Sequence, residues 1–180
     1  MRTLRFKKVT QSVESSPFDC GVRSINEYVR WSYYPMLTHQ AYAYSIMSRD
    51  KILGYYQVMF KDINLDKFPA HIADYSFDDD YRKTTAIHLR YIAIDKKYQG
   101  LKIGTAALEV IMGKCRKLAD NWPVRVITID AKVNLIQWYR KFDFQEMPRN
   151  AESQDGVTVS MYYAFTTYDK ELLEYCEGAF

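Results

Sequence analysis

The chain has few cysteines, histidines, glycines and prolines for its 180 residues. The three cysteines are scattered, so neither a disulfide framework nor a metal-binding spacing follows from them. The three histidines form no HExxH pattern. Seven glycines and five prolines argue against long disordered segments. We therefore expect a globular protein of a reducing compartment that holds no metal.

Two common phosphate-binding signatures are also missing. The sequence has no GxxxxGK[ST] segment, which argues against a P-loop NTPase, and no GxGxxG, which argues against a dinucleotide-binding fold. Its basic start, MRTLRFKKVT, is not followed by an apolar core, and the uncharged stretch 31–48 is too polar to span a membrane. We expect a cytoplasmic protein that has no signal peptide and does not contact a membrane.

Composition predicts one globular domain over residues 1–180. Hydrophobic residues make up 48% of the chain and charged residues 26%, and the net charge is only +3. That charge permits an anionic ligand or RNA without requiring a nucleic-acid partner. Tyrosine is unusually common, with 16 residues, and most of these are expected to be half-buried in a sheet.

Hydrophobic periodicity predicts an α+β fold (α/β by some conventions), with one mixed, mostly antiparallel sheet and helices on both faces. A helix near Ile25 is expected to end or divide at Pro35. Gly54 is a candidate β-bulge. The acidic run Asp78–Asp80 is interpreted as a solvated loop, with a substrate lid as the alternative. We predict strands at 4–9, 40–48, 52–60, 85–95, 124–129, 142–147 and 157–166, helices at 104–120 and 132–141, and a long connection over 61–84.

The segment His88–Leu108 carries the strongest functional signal. It is typical of a strand, a tight turn over residues 99–105, and the start of a helix. Such a turn directs several backbone N–H groups toward one point at the positive end of the helix dipole, which suits phosphate oxygens. A connection without a ligand is the alternative.

The same segment resembles motif A of the GNAT N-acetyltransferases, [QR]-x-x-G-x-[GA]. Gln99 and Gly104 stand at its first and last positions, and Lys102 stands where the middle glycine is expected. If that position needs a positive φ, lysine costs about 1 kcal/mol relative to glycine, which contact of its ammonium with a phosphate would offset. The resemblance implies acetyl-CoA as co-substrate, with its pyrophosphate on the loop and its carbonyl polarised by a backbone N–H near Tyr91–Ile94. The cofactor-binding residues implied here are Ile92, Ala93, Ile94, Gln99, Gly100, Leu101, Lys102, Ile103, Gly104 and Thr105.

A second segment resembles the GNAT pattern -[FL]-Y-x-x-x-G-F. Tyr139 and Phe144 match its tyrosine and its last residue, Trp138 stands where the pattern has Phe or Leu, and Asp143 replaces the glycine. The resemblance implies that Tyr139 is the catalytic general acid that protonates the leaving thiolate. A tyrosine that only packs is the alternative. Asn134 is expected to reach the pantetheine or the phenol.

The general base is not identified by the sequence. His88 and Arg90, on the strand before the loop, and the acidic run Asp78–Asp80 are possible groups, as is water. His88 is interpreted as a sheet residue.

The start of the chain resembles the GNAT-type toxins of bacterial toxin–antitoxin modules, which carry F-x-[CS]-G-x-x-x-L-[ND]-x-[WY]-L. This sequence has Phe18, Cys20, Gly21, Ile25, Asn26, Tyr28 and Val29 at those positions. It also has Asp130-Ala131 where these toxins tend to carry D-A-x, near the end of the fifth strand. The resemblance implies aminoacyl-tRNA as the acceptor, an antitoxin as partner, and a homodimer as a common assembly. Two alternatives stay open: an acetyltransferase for a small-molecule or protein amine, and a non-catalytic CoA-binding or regulatory module.

Overall fold

A computed structural model describes residues 3–65, 68, 83–147 and 158–165 of the chain. Its core is a seven-stranded sheet in the order β1-β2-β3-β4-β5-β7-β6. The pair β4–β5 is parallel and every other pair is antiparallel. The strands are β1 (Arg5–Lys8), β2 (Tyr42–Ser48), β3 (Lys51–Asn64), β4 (Lys83–Ile94), β5 (Val124–Lys132), β6 (Gln145–Glu146) and β7 (Thr158–Ala164).

Within the described residues, four α-helices lie between these strands. They are α1 (Arg23–Arg30), α2 (Tyr33–Leu37), α3 (Ile103–Ala119) and α4 (Ile136–Arg140), with short 3₁₀ turns at Lys96–Tyr98 and Val133–Leu135. The predicted order of elements and the mixed, mostly antiparallel sheet are confirmed.

Several predicted boundaries are wrong. The first helix does divide from a short neighbour, but Pro35 lies inside the first turn of α2, where a missing N–H costs no helical bond. Strand β3 continues to Asn64, four residues beyond its predicted end, because β4 pairs with its polar tail. Strand β5 likewise continues to Lys132, and β6 has only two residues. The acidic run Asp78–Asp80 and residues 148–156, which separate the last two predicted strands, lie outside the described residues.

Helix α3 forms the main core with one face of the sheet. Its buried side chains recur at helical spacing and pack against Ile127 and Ile129 of β5. Tyr139 and Phe144 join the same cluster, so the segment after β5 folds back onto α3. On this face of α3, Ala107, Leu108, Ile111 and Cys115 are buried, and Met112 and Leu118 are partly buried.

Two irregularities shape the middle of the sheet. Pairing of Ile46 with Gly54 and of Met47 with Ile52 leaves Leu53 as a bulge, directly beside the predicted position. Gly54 is needed because a Cβ there would lie 2.2 Å from Ala93 O. In β4, Arg90 is the extra residue between the pairs that Tyr91 and Leu89 make with β3.

Strands β4 and β5 separate before either of them ends. Their last paired residues are His88 and Thr128, although β4 runs on to Ile94 and β5 to Lys132. The ends beyond this pair therefore diverge and leave an opening in the sheet.

Candidate active site

A cavity of about 600 Å³ lies at this opening, between the ends of β4 and β5 and the starts of α1 and α3. It brings together almost every residue that the sequence predicts to bind the co-substrate. Leu101 is the exception, because its side chain is 57% exposed and does not line the cavity. The predicted site residues on the wall are Ile92, Ala93, Ile94, Gln99, Gly100, Lys102, Ile103, Gly104, Thr105, Asn134 and Tyr139.

The loop has the backbone that an anion site requires. Gly100 and Lys102 have φ values of +76° and +57°, so the lysine does occupy the left-handed region. Helix α3 makes its first bond from Ala106 N–H to Lys102 O, at 3.1 Å. The preceding amides therefore lack partners within the helix and point out of its positive end.

Gln99 supports the loop through its side chain. Its Nε2 donates to Ile94 O at 2.8 Å and to Cys20 O at 2.9 Å. These bonds tie the loop both to the end of β4 and to the segment before α1. The side-chain amide of Gln99 is thus used within the protein, so a ligand would meet the loop's backbone.

The segment Phe18–Asn26 forms the wall beside the loop, in direct contact with it, and is held by a compact network. Asp19 Oδ1 accepts hydrogen bonds from Gly21 N–H and Asn26 Nδ2, both at 2.8 Å, while Cys20 N–H donates to Asn26 Oδ1 at 2.9 Å. Asp19 Oδ2 lies 2.9 Å from Lys96 Nζ, and these partners lower the pKa of the Asp19 carboxyl well below its usual range. The sequence showed the toxin-like pattern of this segment but not the contact between the segment and the loop, because that contact joins residues more than seventy positions apart.

Tyr139 lies deep in the cavity wall, with 4% of its surface exposed. Its ring contacts Trp138 and Phe144 edge to face, at centroid distances of 4.7 and 5.6 Å. No described residue hydrogen-bonds its hydroxyl, and burial raises its pKa above 10. The phenol therefore carries a proton at neutral pH and is free to donate it.

The turn after Tyr139 explains the missing glycine of the second motif. Asp143 has a φ of +62°, which a short polar side chain tolerates better than most. The turn returns the chain to Tyr139, whose carbonyl accepts from Phe144 N–H at 3.4 Å. Trp138 Nε1 also donates to Thr105 Oγ1 at 3.4 Å, which links α4 to the start of α3.

Polar residues at the opening were only partly identified from the sequence. Arg90 lines the cavity with its guanidinium 4.4 Å from the ring centre of Tyr28. His88 does not line it and is buried in the sheet, as interpreted; burial lowers its pKa to about 4. Asp130 and Lys132 line the cavity and were missed, because β5 was predicted to end at residue 129.

The described residues contain no candidate metal site. None of their His, Cys, Asp and Glu side chains form a group of three or more that could hold a metal ion. Within the same ranges, no helix is long and apolar enough to cross a membrane.

Solved structures of similar fold include several toxins. AtaT complexed with acetyl-methionyl-tRNAfMet is 17% identical, covers 95% of this chain and 99% of its own, and has a TM-score of 0.76. A mutant of KacT is 16% identical over 90% and 95% of the two chains, with a TM-score of 0.74. A mutant AtaT toxin bound to the C-terminus of the antitoxin AtaR and acetyl-CoA is 15% identical over 91% and 94%, with a TM-score of 0.68. At these identities the likeness shows a shared fold.

Sequence comparison supplies the family. No curated protein matches this chain. A family model described as an acetyltransferase (GNAT) domain matches residues 70–164, which is more than half of the sequence. The chain therefore belongs to the GNAT acetyltransferase family and is an acetyltransferase.

Proposed function

We propose that this protein transfers the acetyl group of acetyl-CoA to the amine of aminoacyl-tRNA, as a GNAT-type toxin. The observation that carries the proposal is one cavity with an anion-binding loop on one wall and the buried phenol of Tyr139 on another. The loop suits a pyrophosphate, and the phenol suits a leaving thiolate.

The residues present fit acetyl-CoA. The unpartnered amides at the start of α3 would receive the pyrophosphate oxygens, and Lys102 adds an exposed ammonium beside them. Asn134, on the cavity wall, is assigned to the pantetheine arm. The thioester would reach the opening between β4 and β5, where the backbone beyond His88 is no longer paired to β5.

Two groups of this chain act on the reacting thioester. A backbone N–H of Ile92, Ala93 or Ile94 would donate to the carbonyl oxygen as negative charge develops there. Tyr139 donates its phenolic proton to the sulfur as the C–S bond breaks. Burial keeps that proton in place at neutral pH, because it raises the pKa of Tyr139.

The acceptor is proposed from the resemblance to toxins. AtaT, which shares this fold, has been solved with acetyl-methionyl-tRNAfMet. The cavity mouth carries Arg90 against the exposed ring of Tyr28, and a cation beside an aromatic face suits a phosphate next to a base. By the same likeness, we propose that an antitoxin is the protein partner.

Two measurements test the proposal. Calorimetric titration with acetyl-CoA should show saturable binding, and no binding at millimolar CoA would leave only a non-catalytic module. Radiolabelled acetyl-CoA is then offered with bulk tRNA charged with the twenty amino acids, and separately with free amines and lysine peptides. Label on the charged tRNA alone supports the proposal. Label on free amines or peptides alone would favour the small-molecule or protein acetyltransferase.

A further inference from the structure

Asp130 lies at the opening and belongs to the D-A-x sequence near the end of β5, but that resemblance gives it no role in the reaction. It lies on β5 two residues beyond Thr128, the last residue of β5 that pairs with β4. Its side chain lines the same cavity as Tyr139 and Ile92. The carboxylate is therefore at the point where the thioester is proposed to react.

Asp130 faces away from the co-substrate loop. Its neighbours Ile129 and Ala131 pack into the core cluster that contains α3. Because side chains alternate across a strand, Asp130 points to the opposite face of the sheet. An acetyl group that enters from the α3 side and an acceptor that enters from the Asp130 side would meet in the opening.

The carboxylate of Asp130 is oriented but not neutralised. Ser160 Oγ donates to its Oδ1 at 2.7 Å, which fixes the side chain. Its Oδ2 lies 3.9 Å from His88 Nε2, beyond hydrogen-bond reach, and the ring's Nδ1 is 3.0 Å from Thr128 Oγ1. Among the described residues, no lysine or arginine forms a salt bridge with Asp130.

Several charged or titratable groups lie near Asp130. Burial lowers the pKa of His88, the carboxylate of Asp130 raises it, and Lys61 and Arg90 lower it further; the net effect leaves His88 neutral at pH 7. Lys132, two residues further along β5, also lines the cavity. The side chain of Asp130 is 47% exposed, so its free oxygen is open to an incoming cation.

We propose that Asp130 binds the acceptor's ammonium group and accepts its proton. The inference rests on the proposed function. One proton passes from the ammonium to Asp130 Oδ2 and then to solvent. The amine lone pair forms the C–N bond and the C–S bond breaks. Sulfur keeps that electron pair and takes a proton from Tyr139. The second proton lost from nitrogen returns through solvent to the Tyr139 oxygen.

The test compares Asp130→Asn with the wild type on bulk aminoacyl-tRNA. Asparagine keeps the shape and can still accept from Ser160, but it has no charge. We expect kcat/KM for the charged tRNA to fall by about 10- to 100-fold at pH 7, the effect of losing a hydrogen bond to a charged group. The dissociation constant of acetyl-CoA should stay within about twofold, because Asp130 faces the acceptor side. Asp130→Glu keeps the charge and should recover part of the loss.

The pH profile separates binding of an ammonium from a structural role. As the pH rises from 7 to 9, more of the free acceptor is already neutral, so the deficit of Asp130→Asn should shrink. Asp120→Asn, which removes a carboxylate at the far end of α3, is the matched control and should behave as wild type. Melting temperatures check that each variant is folded.

The outcomes are distinguishable. A wild type that binds no acetyl-CoA or acetylates no charged tRNA would overturn the proposed function and this inference with it. An active wild type with an equally active Asp130→Asn would overturn the inference alone. A deficit that is constant from pH 7 to 9, or that Asp130→Glu does not relieve, would also overturn it.

Discussion

Lys102 offers the sharpest test of the co-substrate site. Its backbone is left-handed, at φ +57° and ψ +15°, and its side chain makes no capping hydrogen bond. A left-handed non-glycine residue costs about 1–2 kcal/mol, and a positive charge at a helix N-terminus costs about 0.3–1 kcal/mol more. Lys102 thus carries two unfavourable free-energy terms, one from its backbone and one from its charge. Binding of its ammonium to a phosphate of the co-substrate would explain why a lysine stands there.

Two substitutions separate these effects. Lys102→Ala removes the charge and keeps the backbone strain, whereas Lys102→Gly removes both. Glycine gains about 1 kcal/mol from relief of strain and loses about 0.4–1 kcal/mol through the entropy of the unfolded chain. The net gain is about 0–0.6 kcal/mol, so we expect Lys102→Gly to unfold about 0–2 °C above Lys102→Ala, using about 2–4 °C per kcal/mol for a chain of this size.

Binding of the co-substrate should change in the opposite sense to stability. Loss of an exposed ion pair of about 1 kcal/mol weakens acetyl-CoA binding about fivefold in both variants, as measured by calorimetry. The difference from wild type should diminish in high salt, because exposed charges are screened. S-acetylpantetheine, which lacks the phosphates, serves as the control and should be used equally well by all three proteins.

The reasoning is refuted by either of two results. If both variants bind acetyl-CoA as tightly as wild type, the ammonium holds no phosphate. If Lys102→Gly melts below Lys102→Ala, the left-handed backbone is not a source of strain at this position.

Three further predictions follow from the structure. Tyr139→Phe removes the proton donor and should lower turnover by about 10²-fold or more. Acetyl-CoA affinity and melting temperature should change little, because the lost hydroxyl has no described hydrogen-bond partner. Unchanged turnover would remove Tyr139 from the mechanism. Gly54→Ala should destabilise the fold by about 3 kcal/mol or more in urea titration, since its Cβ would meet Ala93 O at 2.2 Å, and a loss below 1 kcal/mol would contradict this. For His88, whose pKa falls from 6.5 to about 4 on folding, the unfolded chain binds more protons between these values. Stability should therefore fall as pH drops from 6.5 to 4, and His88→Gln, compared by denaturation over this range, should lose less than wild type.

The sequence predicted most of the fold because its signals are local. The alternation in β2 and the helical spacing in α3 are properties of neighbouring residues, and both elements formed as expected. The positive φ of Lys102 and of Asp143 could be anticipated because each stands where a motif has glycine. The end of β3 beyond residue 60 could not be anticipated, because its polar residues form a strand only by pairing with β4.

The candidate site likewise has features that the sequence predicts and features that depend on tertiary contacts. By itself, the sequence determined the loop at residues 99–105, the position of Tyr139 and the family to which they point, because each is a short motif read along the chain. Only the tertiary structure decided that Asn26 supports that loop through Cys20, and that Asp130 faces the opening beside His88. The sequence could not predict these contacts, because Gln99 reaches Cys20 across 79 positions and Asp130 reaches His88 across 42, and only the pairing of β4 with β5 places the last two residues side by side.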